Sequence, residues 1–153
     1  MPRHAENRVL PYTPDQIYAL VADVARYPEF LPWTAAARIR SRRPLPERGP
    51  GAEVMEADLV ISFKVFREKF GSRVTLLPDA RRIETEYLDG PFKYLQSFWE
   101  ITPDPGGCRV LFDVDFEFRS VVLQKIIGVV FDEAMRRVVT AFERRAAKLY
   151  PGG

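Results

Sequence analysis

The amino-acid sequence predicts an α+β fold in which a curved antiparallel sheet of about seven strands surrounds a long C-terminal helix. Between residues 34 and 118 hydrophobic residues recur at every second position, which is typical of strands with one buried face. Residues 121–149 contain no proline and have the spacing of a helix. The 153 residues can bury a substantial core, so we expect a single domain that spans residues 1–153.

Two short helices are expected after the first strand. Thr13 is a suitable N-cap residue and Gln16 can complete a capping box, so a helix is predicted over 14–23. Two prolines then restrict residues 26–33 to a tight segment of about one helical turn. The hydrophobic residues of the first helix recur at helical spacing: Ile17, Leu20, Val21 and Val24.

The strands are predicted to form an antiparallel meander with one dry face and one wet face, because short turns separate them. The strongest turn signal is 103–107, where two prolines and two glycines suit a hairpin turn better than a strand. Residues 42–51 are predicted to form one polar loop. The expected strands are 5–10, one that starts at 34, 55–63, 66–76, 83–87, 92–101 and 108–118.

The last helix has two unlike halves. Ser120 is a suitable N-cap, and at ~1.5 Å per residue a continuous helix over 121–149 would be about 43 Å long. Residues 121–131 are apolar on nearly every side, so this half needs cover on several sides, from a sheet that curls around it or from another partner. From Ala134 onward there is one apolar stripe beside an arginine-rich face.

Composition excludes several kinds of site. Cys108 is the only cysteine, which rules out an intramolecular disulfide and a metal site built from cysteines. His4 is the only histidine and lies near the N-terminus, a poor position for a catalytic base. The formal charge of +2 is too small to imply a nucleic-acid partner by itself. There is no signal-peptide pattern and no uncharged stretch of the ~20 residues that span a bilayer, so we expect a cytoplasmic protein, with peripheral contact to the inner membrane left open.

Three blocks of sequence point to a known family. They are Tyr27-Pro28-Glu29-Phe30-Leu31-Pro32-Trp33, Leu88-Asp89-Gly90-Pro91-Phe92 followed by Trp99, and Phe116-Glu117-Phe118-Arg119-Ser120 followed by Phe131, Met135 and residues 141–145. In order and spacing they resemble the coenzyme Q-binding START-like family, part of the polyketide cyclase/dehydrase and lipid transport superfamily. The resemblance implies a helix-grip fold. Thr34 stands where the family often has a cysteine, so that cysteine is not essential to what this chain does.

The resemblance implies more than one function. Members are associated with binding ubiquinone in support of respiratory electron transfer, a bacterial subgroup with toxins that act on the large ribosomal subunit, and distant relatives with polyketide cyclisation or lipid transport. The first expectation for this chain is non-enzymatic binding of ubiquinone or a similar isoprenoid lipid, with no other cofactor and no metal required. The alternatives are a ribosome-association toxin-like protein and a polyketide cyclase/dehydratase-like enzyme.

A ligand of this kind needs an apolar cavity with few polar groups, and we expect it beside the first half of the last helix. Ordinary core packing is the alternative for each lining residue, and for 27–33 a plug that closes one end of the sheet is the alternative to a lid. Either Phe98 or Trp99 can take the inward position on its strand. The candidate ligand-binding residues are Tyr27, Phe30, Trp33, Phe63, Phe70, Leu95, Trp99, Phe116, Ile127 and Phe131.

Two further segments are candidates for contact with anionic partners. A strand reversal within 62–66 would place aromatic side chains and Lys64 at a loop tip that touches a membrane surface, whereas a longer continuous strand is the alternative. Alternation along the second strand predicts that its arginines share one face, where lipid headgroups or ribosomal RNA phosphates would bind them. Solvated arginines are the alternative. The arginines in question are Arg38, Arg40 and Arg42, with Arg43 beside them.

Overall fold

The computed structural model describes residues 3–63 and 66–150, with side chains for all of these except positions 63, 66 and 130. In this part of the chain the α-helices are α1 (Pro14–Ala22) and α2 (Val121–Leu149), and two short 3₁₀ helices span Val24–Glu29 and Pro46–Arg48. The strands are β1 (Arg3–Leu10), β2 (Thr34–Pro44), β3 (Glu53–Phe63), β4 (Phe66–Leu77), β5 (Arg82–Asp89), β6 (Phe92–Asp104) and β7 (Gly107–Phe118).

The strands form one curved antiparallel sheet in the order β1-β7-β6-β5-β4-β3-β2. Strands β2 to β7 follow one another as a meander, and β1 pairs with β7 from Arg3 opposite Asp115 to Leu10 opposite Cys108. Helix α2 packs against β1, β7 and α1. The predicted fold is therefore confirmed, including the two short helical segments after the first strand.

Helix α1 begins where the capping signal predicts. The Thr13 hydroxyl accepts a hydrogen bond from the Gln16 amide at 3.1 Å, and the Gln16 side chain accepts one from the Thr13 amide at 3.0 Å. Ile17, Leu20 and Val21 are buried in the core. Because α1 contacts β5, β6 and β7 through this buried face, it closes one end of the concave side of the sheet.

The concave face of the sheet follows from the alternation along β7. Every second residue from Cys108 to Phe118 is buried, and the residues between them are more exposed. Phe112 lies opposite Trp99 on β6, so Trp99 takes the inward position. Phe98 faces outward, where the Arg82 guanidinium lies 4.2 Å from the centre of its ring.

Two loop predictions have different outcomes. The predicted polar loop over 42–51 is wrong at its start, because β2 continues to Pro44 and Arg43 pairs with Val54 of β3. An edge strand keeps one side in solvent, so polar residues do not prevent it from pairing. The strand reversal predicted within 62–66 is confirmed by the pairing of Phe63 with Phe66, whereas Lys64 and Val65 lie outside the described residues.

Helix α2 is covered unevenly along its length. The Ser120 hydroxyl accepts a hydrogen bond from the Leu123 amide at 3.2 Å and so caps the first turn. In the first half, Leu123 and Ile127 are half-buried, whereas the outward side chains include Val129, which is 86% exposed. The sheet therefore covers one side of this half and leaves an apolar side in solvent. In the described residues no helix is long and apolar enough to cross a bilayer.

Candidate functional site

An aromatic cluster fills the concave face beside the first half of α2. Phe92 lies at its centre, with its ring centroid 5.3 Å from that of Phe116 and stacked at 4.7 Å on Phe118. Phe131 of α2 joins the cluster through Phe116, at 5.0 Å. The aromatic cluster comprises Phe70, Tyr87, Phe92, Phe116, Phe118 and Phe131, and it includes the predicted ligand residues Phe70, Phe116 and Phe131.

The apolar residues around the cluster are only half-buried. They come from β3, β6 and α2, and they include the predicted ligand residues Leu95 and Ile127. At the opposite end of the concave face Ile17, Leu20 and Val21 of α1 are buried. The half-buried apolar residues of β3, β6 and α2 lie on the side where α2 begins, which is the side expected to admit a ligand. These half-buried residues, called the apolar rim below, are Leu59, Ile61, Leu95, Leu123 and Ile127.

Tyr87 brings a polar group into this apolar region. Its hydroxyl oxygen accepts a hydrogen bond from the Phe92 amide at 3.1 Å. Among the described residues the hydroxyl hydrogen has no acceptor, so Tyr87 can donate to a ligand. Sequence reasoning missed both Tyr87 and Phe92. Tyr87 continues the inward alternation of Ile83 and Thr85 on β5, and this signal was sufficient to find it.

The remaining aromatic candidates lie near the second half of α2. Trp99 stacks on Phe112 at 4.2 Å and meets the edge of Phe142 at 4.9 Å. Tyr27 and Phe30 also contact Phe142, at 5.4 and 5.2 Å. The predicted ligand residues therefore form two groups. The group with Phe70, Phe116 and Phe131 lies beside the first half of α2, where Ile127 is, and the group with Tyr27, Phe30 and Trp99 lies near its second half.

The segment from Tyr27 to Trp33 forms a wall between β2 and α2. The Tyr27 hydroxyl donates to the carbonyl oxygen of Val21, and burial raises the pKa of this hydroxyl. The hydroxyl hydrogen of Tyr27 is therefore already used in this bond. The Trp33 carbonyl accepts a hydrogen bond from the Ser62 amide at 2.8 Å, and Trp33 has a φ of 62°. The side chain of Phe63, another predicted ligand residue, lies outside the described residues.

The arginines of β2 do not share one face. Arg38 lies opposite Asp58 and Arg42 opposite Met55, with a register shift between Ile39 and Ser41. A bulge inserts one extra residue, here Arg40, and reverses the alternation beyond it. The prediction that Arg38, Arg40 and Arg42 lie on one face is therefore wrong.

Arg40 is held by two carboxylates. Its Nε lies 2.9 Å from Oδ1 of Asp58, and its Nη2 lies 3.2 Å from Oδ1 of Asp89. A Cβ atom at Gly71 would lie 2.5 Å from that Nη2, so any other residue here would require the arginine side chain to shift. Arg42 is paired with Glu53. Of the four predicted contact residues, Arg38 and Arg43 are exposed and have no ion pair within the described residues.

Asp58→Asn is expected to lower the free energy of unfolding at neutral pH and to make that free energy change less as the pH falls. Hydrogen bonds from Arg40 lower the pKa of Asp58 below its unfolded-state value of about 3.9. The ionised carboxylate therefore stabilises the fold above that value, and this contribution is lost as the pH falls through the lower folded-state pKa. Urea unfolding from neutral pH to about pH 2 measures the effect. The exposed Asp79, replaced by Asn, is the control, and equal acid dependence in Asp58→Asn and the wild type would contradict the prediction.

A basic groove of about 690 Å³ runs between α2 and the segment that precedes β2. One wall contains Glu29, Phe30 and Pro32, and the other is the outer face of the second half of α2. The sequence identified this arginine-rich face but did not assign it a contact role. Its side chains are Glu133, Arg136, Arg137, Thr140, Ala141, Arg144, Arg145 and Lys148.

The cations of the basic groove differ in their pairing. Arg145 lies 2.8 Å from Glu29 and 5.2 Å from the centre of the Phe30 ring, so it fastens the wall to the helix. Arg137 lies 3.2 Å from Glu133. Arg144 and Lys148 are exposed, and neither has an ion pair within the described residues. These two cations are therefore available to an anionic partner.

His4 joins β1 to α2. Its Nε2 lies 2.9 Å from Glu6 and its Nδ1 lies 3.1 Å from Asp132, while its ring meets the edge of Phe131 at 6.3 Å. This pairing gives the only histidine a structural position at the edge of the sheet. Within residues 3–63 and 66–150 there is no group of three or more side chains suited to hold a metal ion.

Comparison with protein families gives a match over residues 10–143 to the model described as polyketide cyclase / dehydrase and lipid transport. The chain belongs to this family. Relatives in the family include the ribosome association toxin RatA of Rickettsia prowazekii, 39% identical over 94% of each chain. The coenzyme Q-binding protein COQ10 homolog B of Xenopus laevis is 30% identical, and the match covers 96% of this chain and 59% of that relative.

Solved structures agree with the family assignment. The 18 kDa protein CC1736 from Caulobacter crescentus is 37% identical, with a TM-score of 0.81 over 98% of this chain and 99% of that chain. A START superfamily protein from Mycobacterium smegmatis has a TM-score of 0.77 at 19% identity, over 96% of this chain and 98% of that chain, and so shares the fold. The resemblance to START-like proteins is confirmed, and the family description indicates lipid or ligand binding.

The second family block has a clear physical role in this chain. Asp89 holds Arg40, and Phe92 is the centre of the aromatic cluster. Gly90 lies between them with a φ of 137°, and a Cβ atom there would lie 2.6 Å from Cβ of Phe70. Because only glycine fits this close approach, the block fixes the β5–β6 turn against β4 and positions the cluster.

Proposed function

We propose that this member of the family binds ubiquinone or a similar isoprenoid lipid without catalysing a reaction, in support of respiratory electron transfer. The observation behind the proposal is the half-buried apolar rim beside a buried aromatic cluster. Apolar lining with few polar groups suits an isoprenoid chain. The relative named as a coenzyme Q-binding protein supports the choice of ligand.

Tyr87 is the proposed partner of the quinone headgroup. Quinone carbonyls are hydrogen-bond acceptors, and the Tyr87 hydroxyl has a hydrogen that no described residue accepts. Ser72 lies opposite Tyr87 on β4 and is buried, so a second hydroxyl faces the same region. The headgroup would lie near these hydroxyls and the isoprenoid chain along the apolar rim.

Organic extraction of the purified protein followed by mass spectrometry tests the proposal, together with titration of a soluble short-chain ubiquinone. We expect a bound quinone, and Tyr87→Phe should weaken binding about 5–10-fold, the effect of one hydrogen bond. Tyr94→Phe is the matched control, because the Tyr94 hydroxyl donates to Asp115 on the outer face. If no lipid is extracted and no ubiquinone binds, the proposal fails.

Ribosome association is the second candidate function. The basic groove favours it, because Arg144 and Lys148 have no ion pair in the part of the chain that the structure describes, and relatives in Rickettsia prowazekii and Escherichia coli are named ribosome association toxins. We expect salt-sensitive co-sedimentation of the protein with purified large ribosomal subunits. Normal association of the two subunits in the presence of excess protein would count against this function. Solved cyclases match at 16–19% identity and share the fold alone.

A further inference from the structure

We propose that the basic groove binds the phosphodiester backbone of RNA, and that this groove, rather than the arginines of β2, is the contact surface for the ribosome. The inference rests on the second proposed function and adds the chemical group and the residues. The groove has five cationic side chains and two carboxylates, an excess of three positive charges.

Three of the five cations of the groove form a straight stripe along α2. Arg137, Arg144 and Lys148 are separated by seven and four residues, a spacing that places them on one side of a helix. The stripe is about 16 Å long at ~1.5 Å per residue. Thr140 and Ala141 lie between these cations and are small, so a phosphate can approach the helix there.

The opposite wall makes the surface concave. Arg145 holds Glu29 and covers the Phe30 ring, which keeps this wall beside the helix. A rod-like nucleic-acid backbone can enter such a groove, whereas a flat bilayer would touch only its edges. The shape therefore favours RNA over a lipid surface.

Ion pairing removes two of the β2 arginines, because Arg40 and Arg42 are occupied by carboxylates. Arg38 and Arg43 have no ion pair within the described residues, as is the case for Arg144 and Lys148, but they lie on the edge strand of the sheet and not in a concave basic groove. The planar guanidinium group of an arginine can donate hydrogen bonds to two phosphate oxygens, and the ammonium group of a lysine adds a compact positive charge. Each neutralised phosphate releases counterions, so binding must weaken with salt.

The test uses the full chain and a fluorescein-labelled RNA hairpin, with anisotropy measured between about 50 and 200 mM salt. We expect Arg144→Gln combined with Lys148→Gln to weaken binding about tenfold and to lower the slope of log affinity against log salt by about 1.4–1.8. Arg38→Gln combined with Arg43→Gln removes the same charge from β2 and should change little. Equal effects of the two double variants, or no effect of the first, would overturn the proposal.

Two parallel measurements separate the possible failures. Large ribosomal subunits are sedimented with the same variants. Groove-dependent binding of the hairpin without sedimentation would support RNA binding by the groove and would overturn its assignment as the ribosome contact, together with ribosome association itself. Sedimentation that is lost only in the β2 variant overturns the groove proposal and keeps ribosome association. Phosphatidylcholine vesicles with added phosphatidylglycerol are the third probe, and groove-dependent binding to vesicles but not to RNA also overturns it. All four substituted side chains are exposed, so thermal unfolding of both variants should match the wild type.

Discussion

Phe92→Ala is expected to lower the free energy of unfolding by about 3–5 kcal/mol. The side chain is only 6% exposed, and it packs against rings contributed by β4, β5 and β7. Truncation removes the transfer free energy of the ring and leaves a cavity that the surrounding rings cannot fill without leaving their own contacts. Urea unfolding followed by circular dichroism measures the loss.

Phe98→Ala is the matched control for this prediction. Phe98 lies on the same strand but faces outward, where its described partner is the Arg82 guanidinium. Phe98 is half-buried, and its cation–π contact contributes about 0.5–1 kcal/mol, so the control should cost less than Phe92→Ala. Similar losses in the two variants would show that the cluster around Phe92 does not form the core described here.

The alternation of β7 and the capping signals allowed most of the fold to be predicted. These signals are local: a period of two sets the buried face of a strand, and Thr13 with Gln16 sets the start of α1. Helix α2 has the predicted bounds, because Ser120 provides its cap and no proline interrupts it. Where one short segment contains the whole signal, the sequence is sufficient.

The β2 arginines show why the candidate site was harder to predict. Alternation predicts one face for them, but the bulge at Arg40 depends on the register with β3. The partners of Arg40 lie 18 and 49 residues away along the chain, so its pairing is a property of the assembled sheet. A pattern within β2 cannot show that Asp58 and Asp89 neutralise it.

The aromatic candidates divide for a similar reason. The sequence places Tyr27 and Phe30 before the sheet and Phe142 near the end of α2, and no local period connects them. Their contact depends on how the segment before β2 crosses to α2. The roles in ligand binding stay predictions, including that of Phe63, and lipid extraction is their test.

Gly107→Ala is expected to destabilise the protein by about 2–6 kcal/mol, from backbone strain of about 1–3 kcal/mol and a steric clash of similar size. Gly107 begins β7 with a φ of 134°, a conformation that residues with a side chain rarely adopt. A Cβ atom there would lie against the Leu10 carbonyl oxygen and 2.8 Å from the Tyr12 amide. These neighbours are backbone atoms of the connection between β1 and α1, so they cannot move without disturbing the pairing of β1 with β7. Thermal unfolding provides the measurement.

Gly106→Ala tests whether the loss of stability arises at position 107 or from the hairpin in general. Gly106 is the preceding residue, in the two-residue turn between β6 and β7, and its φ is not positive. The nearest atom to a Cβ there is Oδ2 of Asp104 at 3.4 Å, an ordinary contact, so we expect a change within about 0.5 kcal/mol. Equal destabilisation by both substitutions would mean that flexibility of the turn matters more than the contact of β7 with the β1–α1 connection. A large difference would show that Gly107 fixes the start of β7, and with it the register that places Phe112 and Phe116 on the concave face.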